Sequence, residues 1–219
     1  MKTALVAGAT GATGSALVNA LLTSGEYQAI HLLSRRTTHW RDRESIREHI
    51  LPLSRIADLT VPYVVDEVYC CLGTTMKVAG SKEAFHAVDY EAVVALGRWA
   101  KAQGAGQMHV VSSKGAKAGS RSFYLRTKGE MEQALLALDL PALYLYQPSL
   151  LSGERREHRR GERFGELVLG ALSWLPGADN WRPVPIERLA LSMMEHAQSH
   201  QGKGRRWVDS ARILRGTTE

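Results

Sequence analysis

The chain has 219 residues, 44% hydrophobic and 23% charged, which is ordinary globular composition and excludes disorder, collagen and coiled coil. That length is most simply one domain, and it buries enough surface for a core without staples. Lys and Arg outnumber Asp and Glu by 28 to 22, a formal charge of +6, an excess that permits an anionic ligand but establishes no nucleic-acid partner.

No apolar run of about 18 residues occurs, so no membrane partner is expected. The short apolar stretch behind Met1 runs into glycines instead of a signal cleavage site. The two cysteines, Cys70 and Cys71, are adjacent. Neighbours on one strand point to opposite faces and do not bridge each other. With no disulfide framework, a reducing cytoplasm is the expected location.

In chain order, residues 3–7 predict a strand, and residues 12–24 a helix with Ala16, Leu17, Ala20 and Leu21 on one face. Residues 29–33 predict a second strand. The charged stretch 41–49 predicts a short surface helix, and residues 67–72 a strong strand. Residues 82–102 predict the clearest helix, with Phe85, Val88, Ala92, Leu96 and Trp99 at spacings of three and four. A strand over 107–111, a helix over 124–138 and a strand over 142–146 follow. Strands alternating with helices predict a parallel sheet covered on both faces. From Leu151 the alternation stops. Residues 154–163 hold five arginines, residues 189–196 predict a final helix, and residues 151–200 read as a small cap over the carboxyl ends of the strands.

The first strand runs into Gly8-Ala9-Thr10-Gly11-Ala12-Thr13-Gly14 and then a helix. Glycine tolerates the positive φ of a tight strand-to-helix turn. Without a Cβ, the backbone can approach a pyrophosphate, and the free N–H groups of the helix start attract it. The second strand ends in Ser34-Arg35-Arg36. In dinucleotide folds an acid at this point selects NAD, whereas an arginine accepts the 2′-phosphate of NADP. Two guanidiniums suit a phosphate dianion, so the expected cofactor is NADP(H); a solvated surface pair is the plainer alternative. Asp58, with Leu59, is expected to follow the third strand, where an acid can bond an adenine amino group.

Tyr124 and Lys128 stand four apart on a predicted helix, so they share a face. An ammonium beside a phenol favours phenolate and makes it a usable general acid or base. The pair alone is a weak signal, and an ordinary amphipathic helix is the alternative. Ser112 and Ser113 end the preceding strand, where a hydroxyl can bond the reacting oxygen.

The set Gly8-x-x-Gly11-x-x-Gly14, Ser112-Ser113 and Tyr124-x-x-x-Lys128 resembles the atypical branch of the short-chain dehydrogenases/reductases. Cys70-Cys71-Leu72-Gly73-Thr74-Thr75 and Ser112-Ser113-Lys114-Gly115-Ala116 resemble, within it, the NADP-binding family that includes the animal HIV Tat-interactive protein oxidoreductase. The resemblance implies that the turn with Gly8, Thr10, Gly11, Ala12, Thr13 and Gly14 holds the pyrophosphate and that Arg35 and Arg36 take the 2′-phosphate. It implies that Leu72 and Gly73 line the cofactor, that Ser113 is the site serine, and that Tyr124 and Lys128 are the acid/base pair. Pro148 and Ser149 resemble a loop on the nicotinamide side, and Arg159 falls where the family places a further cofactor-contacting arginine. Two features depart from the pattern: the Ser–Tyr gap is short, which leaves Ser112 and Ser113 both open as the catalytic serine, and Ser149 stands where glycine is frequent.

The arginine-rich stretch also holds Glu154, Glu157 and Glu162, with no aromatic before Phe164, so nucleic acid is not the expected partner. The eight histidines show no metal-ligand spacing. The expectation is therefore a Rossmann-like doubly wound parallel sheet with a small C-terminal cap. Its function would be an NADP(H)-dependent oxidoreductase acting on a small carbonyl or alcohol. The alternative is a non-catalytic NADP(H)-binding regulator that meets a protein partner. The chain would be a monomer or a homodimer joined through its two long helices.

Overall fold

A computed structural model of the chain describes residues 1–153, 182–199 and 203–216. The elements run β1 (Lys2–Ala7), α1 (Ala12–Ser24), β2 (Tyr27–Ser34), β3 (Ile46–Ile50), a 3-10 turn (Leu53–Asp58) and β4 (Glu67–Cys70). Next come α2 (Met76–Ala79), α3 (Lys82–His86), a π-helical turn (Ala87–Glu91), α4 (Ala92–Ala102), β5 (Gln107–Val111), α5 (Phe123–Ala137) and β6 (Ala142–Gln147). The remainder is β7 (Leu151–Ser152), β8 (Val184–Pro185), α6 (Ile186–Gln198), β9 (Gly204–Asp209) and α7 (Ser210–Arg215).

Seven strands form one parallel sheet in the order β3-β2-β1-β4-β5-β6-β9. This is the Rossmann-like doubly wound sheet, with its switch point between β1 and β4. Successive side chains divide between its faces. Leu5, Val68, Met108, Val110, Leu143 and Leu145 pack beneath α4, α5 and the 3-10 turn. Ala4, Val6, Tyr69, Tyr144 and Tyr146 pack on the face of α1 and α6. The inner strands are buried on both sides, so their sequences are mostly apolar, with Glu67, His31 and His109 as buried polar exceptions.

Two expectations are corrected. The charged stretch 41–49 is not a helix: Trp40–Arg43 turns, and Ile46–Ile50 pairs with β2 as an edge strand. The alternation does not end at Leu151 either. β9 rejoins the sheet beside β6, and α7 follows it, so the helix Ile186–Gln198 is not the last element. Of the stretch 151–200 expected as a cap, residues 151–153 and 182–199 are described: β7 pairs with β8, and α6 packs against α1. Residues 154–181, including the arginine-rich stretch and Arg159, lie outside the described residues.

Candidate active site

The carboxyl ends of β1, β2, β4, β5 and β6 deliver the candidate residues to one edge of the sheet. After β1, Gly8 adopts φ 87°, and a Cβ there would stand 2.6 Å from the Cys71 carbonyl oxygen. A Cβ on Gly14 would stand 2.2 Å from the Gly8 carbonyl oxygen. The turn therefore closes only around glycine at these two positions. Gly11 caps α1 without a side-chain bond, and the first turn holds no acid, so the amides of Ala12, Thr13 and Gly14 have no intrahelical partner. Thr10 and Gly11 are exposed. This cradle of free N–H groups and positive helix end fits a dinucleotide pyrophosphate.

Arg35 and Arg36 follow β2 directly and are exposed, and among the described residues neither is paired with an acid. The Ser34 hydroxyl donates to the Arg36 carbonyl at 2.7 Å and shapes the bend. Asp58 follows β3, as expected, but at a distance. It does not come straight off β3, whose exit residues are Leu51 and Pro52. It ends the 3-10 turn eight residues on, where its carboxylate accepts from Arg55 Nε at 2.7 Å. After β4, Leu72 is buried and Gly73 exposed. The Cys71 amide donates to the Ala7 carbonyl at 2.8 Å, which locks this exit against the glycine turn.

Ser112 and Ser113 leave β5, and their hydrogen bonding differs. The Ser112 hydroxyl donates to Glu132 on α5 and is thereby occupied. Among the described residues, the Ser113 hydroxyl makes only a long 3.5 Å contact, to the Lys114 carbonyl, which leaves it able to bond a ligand. Pro148, after β6, accepts the Lys114 amide at 3.0 Å, so the β5 and β6 exits lie together. Ser149 is held by Ser210 Oγ through its amide and by the Arg182 carbonyl through its hydroxyl.

Ser122 caps α5 through its hydroxyl, and the helix then presents Tyr124, Lys128 and Glu132 one turn apart. Tyr124 is 37% exposed and meets Phe85 edge-on at 5.8 Å between ring centroids. Lys128 is buried, with its ammonium 2.7 Å from Asp89 Oδ1. Burial works against the Lys128 charge, but Asp89, then the Tyr124 phenol and the Cys70 thiol, outweigh it and hold the ammonium above its ordinary range.

Two buried acids at this site escape a reading of the sequence. Asp89 lies on the π-helical turn and accepts the Thr74 amide at 2.8 Å. Its sequence signal is an acid four residues beyond Phe85 on the apolar stripe. Glu132 accepts from Ser112 Oγ, from Gln147 Nε2 at 2.9 Å and from Trp207 Nε1 at 3.4 Å, and so joins α5 to β5, β6 and β9. Its signal is a second four-residue step beyond Lys128.

Residues 4–139 match the NAD dependent epimerase/dehydratase family. Protein HTATIP2 of Rattus norvegicus is 28% identical over 203 residues, 90% of this chain and 82% of that protein. Protein FMP52, mitochondrial, of Coccidioides immitis is 32% identical over 195 residues, 83% of this chain and 79% of its own. MoeE5 in complex with UDP-glucose and NAD shares the fold with TM-score 0.69 and 17% identity, over 94% of this chain and 76% of that one. The expectation of a cytoplasmic protein is corrected by these relatives, since several carry "mitochondrial" in their names; reduced cysteines report a reducing compartment without saying which one. By sequence and by fold, the chain belongs to the NAD dependent epimerase/dehydratase family.

Proposed function

We propose that the chain is an NADP(H)-dependent oxidoreductase that moves a hydride to or from a small carbonyl or alcohol. The observation that carries this reading is the half-exposed Tyr124 one helical turn from the buried Lys128 ammonium, together with Ser113 at the β5 exit, whose hydroxyl makes a 3.5 Å contact to the Lys114 carbonyl. NADP rather than NAD is favoured by two exposed guanidiniums directly after β2, with no acid in the exit sequence Arg35-Arg36-Thr37-Thr38. The amides of the α1 start hold the pyrophosphate, and Leu72 and Gly73 border the bound dinucleotide. When bound, NADPH supplies the hydride. Ser113 donates a hydrogen bond to the substrate oxygen and orients it. The Tyr124 hydroxyl gives its proton to that oxygen as charge develops there, and Lys128 stabilises the phenolate that remains. In the opposite direction the phenolate takes the proton from the alcohol. The substrate is a small molecule with a carbonyl or hydroxyl group for Tyr124 and Ser113 to meet.

The test begins with calorimetric titration of NADPH and NADH into the purified chain, followed by NADPH oxidation against a panel of carbonyls. Tight NADPH, weak NADH and turnover of at least one carbonyl are the expected results. Tyr124→Phe is expected to lower turnover by about a hundredfold or more, the scale of general acid catalysis, with the NADPH dissociation constant unchanged. Cofactor binding without turnover across the panel would favour the regulator instead. Lost cofactor binding in Tyr124→Phe would reject the role given to that residue.

A further inference from the structure

Behind Tyr124 lies a pair of opposite charges shut away from solvent. The Lys128 and Asp89 side chains are 5% and 1% exposed, and Nζ stands 2.7 Å from Oδ1. The other carboxylate oxygen, Oδ2, accepts the Thr74 amide at 2.8 Å. A Cβ built on Gly73 would lie 3.5 Å from Asp89 Oδ1 and 3.9 Å from Lys128 Nζ. The pair thus sits directly under the β4 exit, between that loop and α5. A lone ammonium at this depth carries a heavy desolvation cost, and a carboxylate in contact offsets it. The same contact acts on the phenol. A cation within a few ångströms favours phenolate, whereas a cation already matched by an anion does so far less.

We infer that Asp89 is a positioning residue of this site: it fixes the Lys128 ammonium and balances its charge, so that Tyr124 ionises beside a neutral pair rather than a lone cation. The inference rests on the reading of Tyr124 as the proton carrier. Other charged and titratable groups lie on the neighbouring elements. From β4, Cys70 carries a thiol pushed up to about 11, chiefly by burial, and is neutral at working pH. From α3, Lys82 lies 5.5 Å from the Phe123 ring, and on α5 Arg126 lies 5.8 Å from the same ring. Lys114 lies on the β5 exit, and Glu132, on α5 itself, is engaged by Ser112, Gln147 and Trp207. Asp89 is the carboxylate in contact with Lys128.

The test is an ultraviolet titration of phenolate absorbance on the full chain without cofactor or substrate. Among the seven tyrosines, Tyr124 is isolated by subtracting a matched Tyr124→Phe protein. Asp89→Asn keeps the shape and an acceptor for Thr74 but leaves the ammonium unmatched. Its Tyr124 midpoint is expected to fall by about one pH unit or more. Lys128→Met leaves the carboxylate alone behind the phenol, and its midpoint is expected to rise. Opposite shifts are the signature of charge balance, since a purely structural role changes stability and does not drive the two midpoints apart. A midpoint unchanged or raised in Asp89→Asn overturns the inference. If that variant does not fold, Lys128→Met decides, and an unchanged or lowered midpoint there overturns it. The readout needs no turnover, so the two readings fail separately. Turnover that survives Tyr124→Phe sinks the assigned reaction and leaves the titration to be judged by itself.

Discussion

Arg35 and Arg36 differ from most of the chain's basic residues in where the backbone puts them. They leave the sheet at the second strand's exit, beside the switch point, exposed and without an acidic partner among the described residues. A charge-assisted bond from guanidinium to phosphate contributes roughly 1.5–3 kcal/mol, about tenfold or more in affinity. Arg35→Ala and Arg36→Ala are each expected to weaken NADPH binding by about that factor and to leave NADH binding unchanged. Calorimetry with both cofactors checks this. Equal losses for the two would mean that the arginines act on the pyrophosphate or on the fold, not on the 2′-phosphate. Their exposed place at the strand exit was legible in the sequence because it needs only the end of one strand. Asp89 and Glu132 were not. Each takes its meaning from partners far along the chain, Lys128 in one case and Gln147 and Trp207 in the other, and local spacing does not encode those contacts.

At the scale of the element, α5 and the loop before it are fitted backbone to backbone. A Cβ on Gly129 would stand 2.2 Å from the Lys117 carbonyl carbon and 2.3 Å from the Ala118 nitrogen. Neither neighbour is the free end of a side chain, so relief requires the loop to move, and Ser113 is at its root. Gly129→Ala is expected to cost about 1–3 kcal/mol in a denaturant titration, the usual range for overpacking, and to lower turnover as Ser113 shifts. Gly119→Ala, in the same loop but with open space around its Cβ, is the control and is expected to be nearly neutral. Similar losses in both would show that the loop tolerates no side chain anywhere, and the close approach at Gly129 would lose its significance. The same scale explains which strands the sequence revealed. The five inner strands are buried on both faces and read as apolar runs. The two that were missed, β3 and β9, are the edges of the sheet. An edge strand pairs on one side only and tolerates charge. Ile46-Arg47-Glu48-His49-Ile50 therefore resembles a surface helix, and Gly204-Arg205-Arg206-Trp207-Val208-Asp209 resembles a loop.

Across the whole molecule, the face of the sheet under α1 and α6 buries a layer of polar and aromatic side chains. His109 is fully buried, stacked between Tyr69 and Tyr144 at 5.0 and 4.5 Å between centroids, with Nδ1 3.0 Å from the Tyr146 hydroxyl. Burial, with His196 and Lys2 adding to it, holds this imidazole well below its ordinary range. His196 is lowered by burial as well, and so is His49. His31, bonded to His49 at 2.8 Å, is lowered to about 4, first by burial and then by His49 and Arg47. These groups are neutral in the fold, whereas in the unfolded chain each takes a proton near pH 6.5. Below that pH the unfolded state binds more protons, so stability is lost as pH falls. The contribution of these histidines is fully present above about pH 6.5 and declines from there toward the folded value, near 4 for His31. Each unmatched proton steepens the slope by about 1.4 kcal/mol per pH unit. Denaturant titrations between about pH 7.5 and 5 are expected to show this acid-side loss, with the denatured baseline unchanged. His109→Asn lowers stability at neutral pH by removing a stacked ring, but it also removes one titrating group, so its slope is expected to be shallower by about the same 1.4 kcal/mol per pH unit. A slope identical to that of the unaltered chain would show that His109 takes up its proton without unfolding, and that the aromatic stack accommodates an imidazolium.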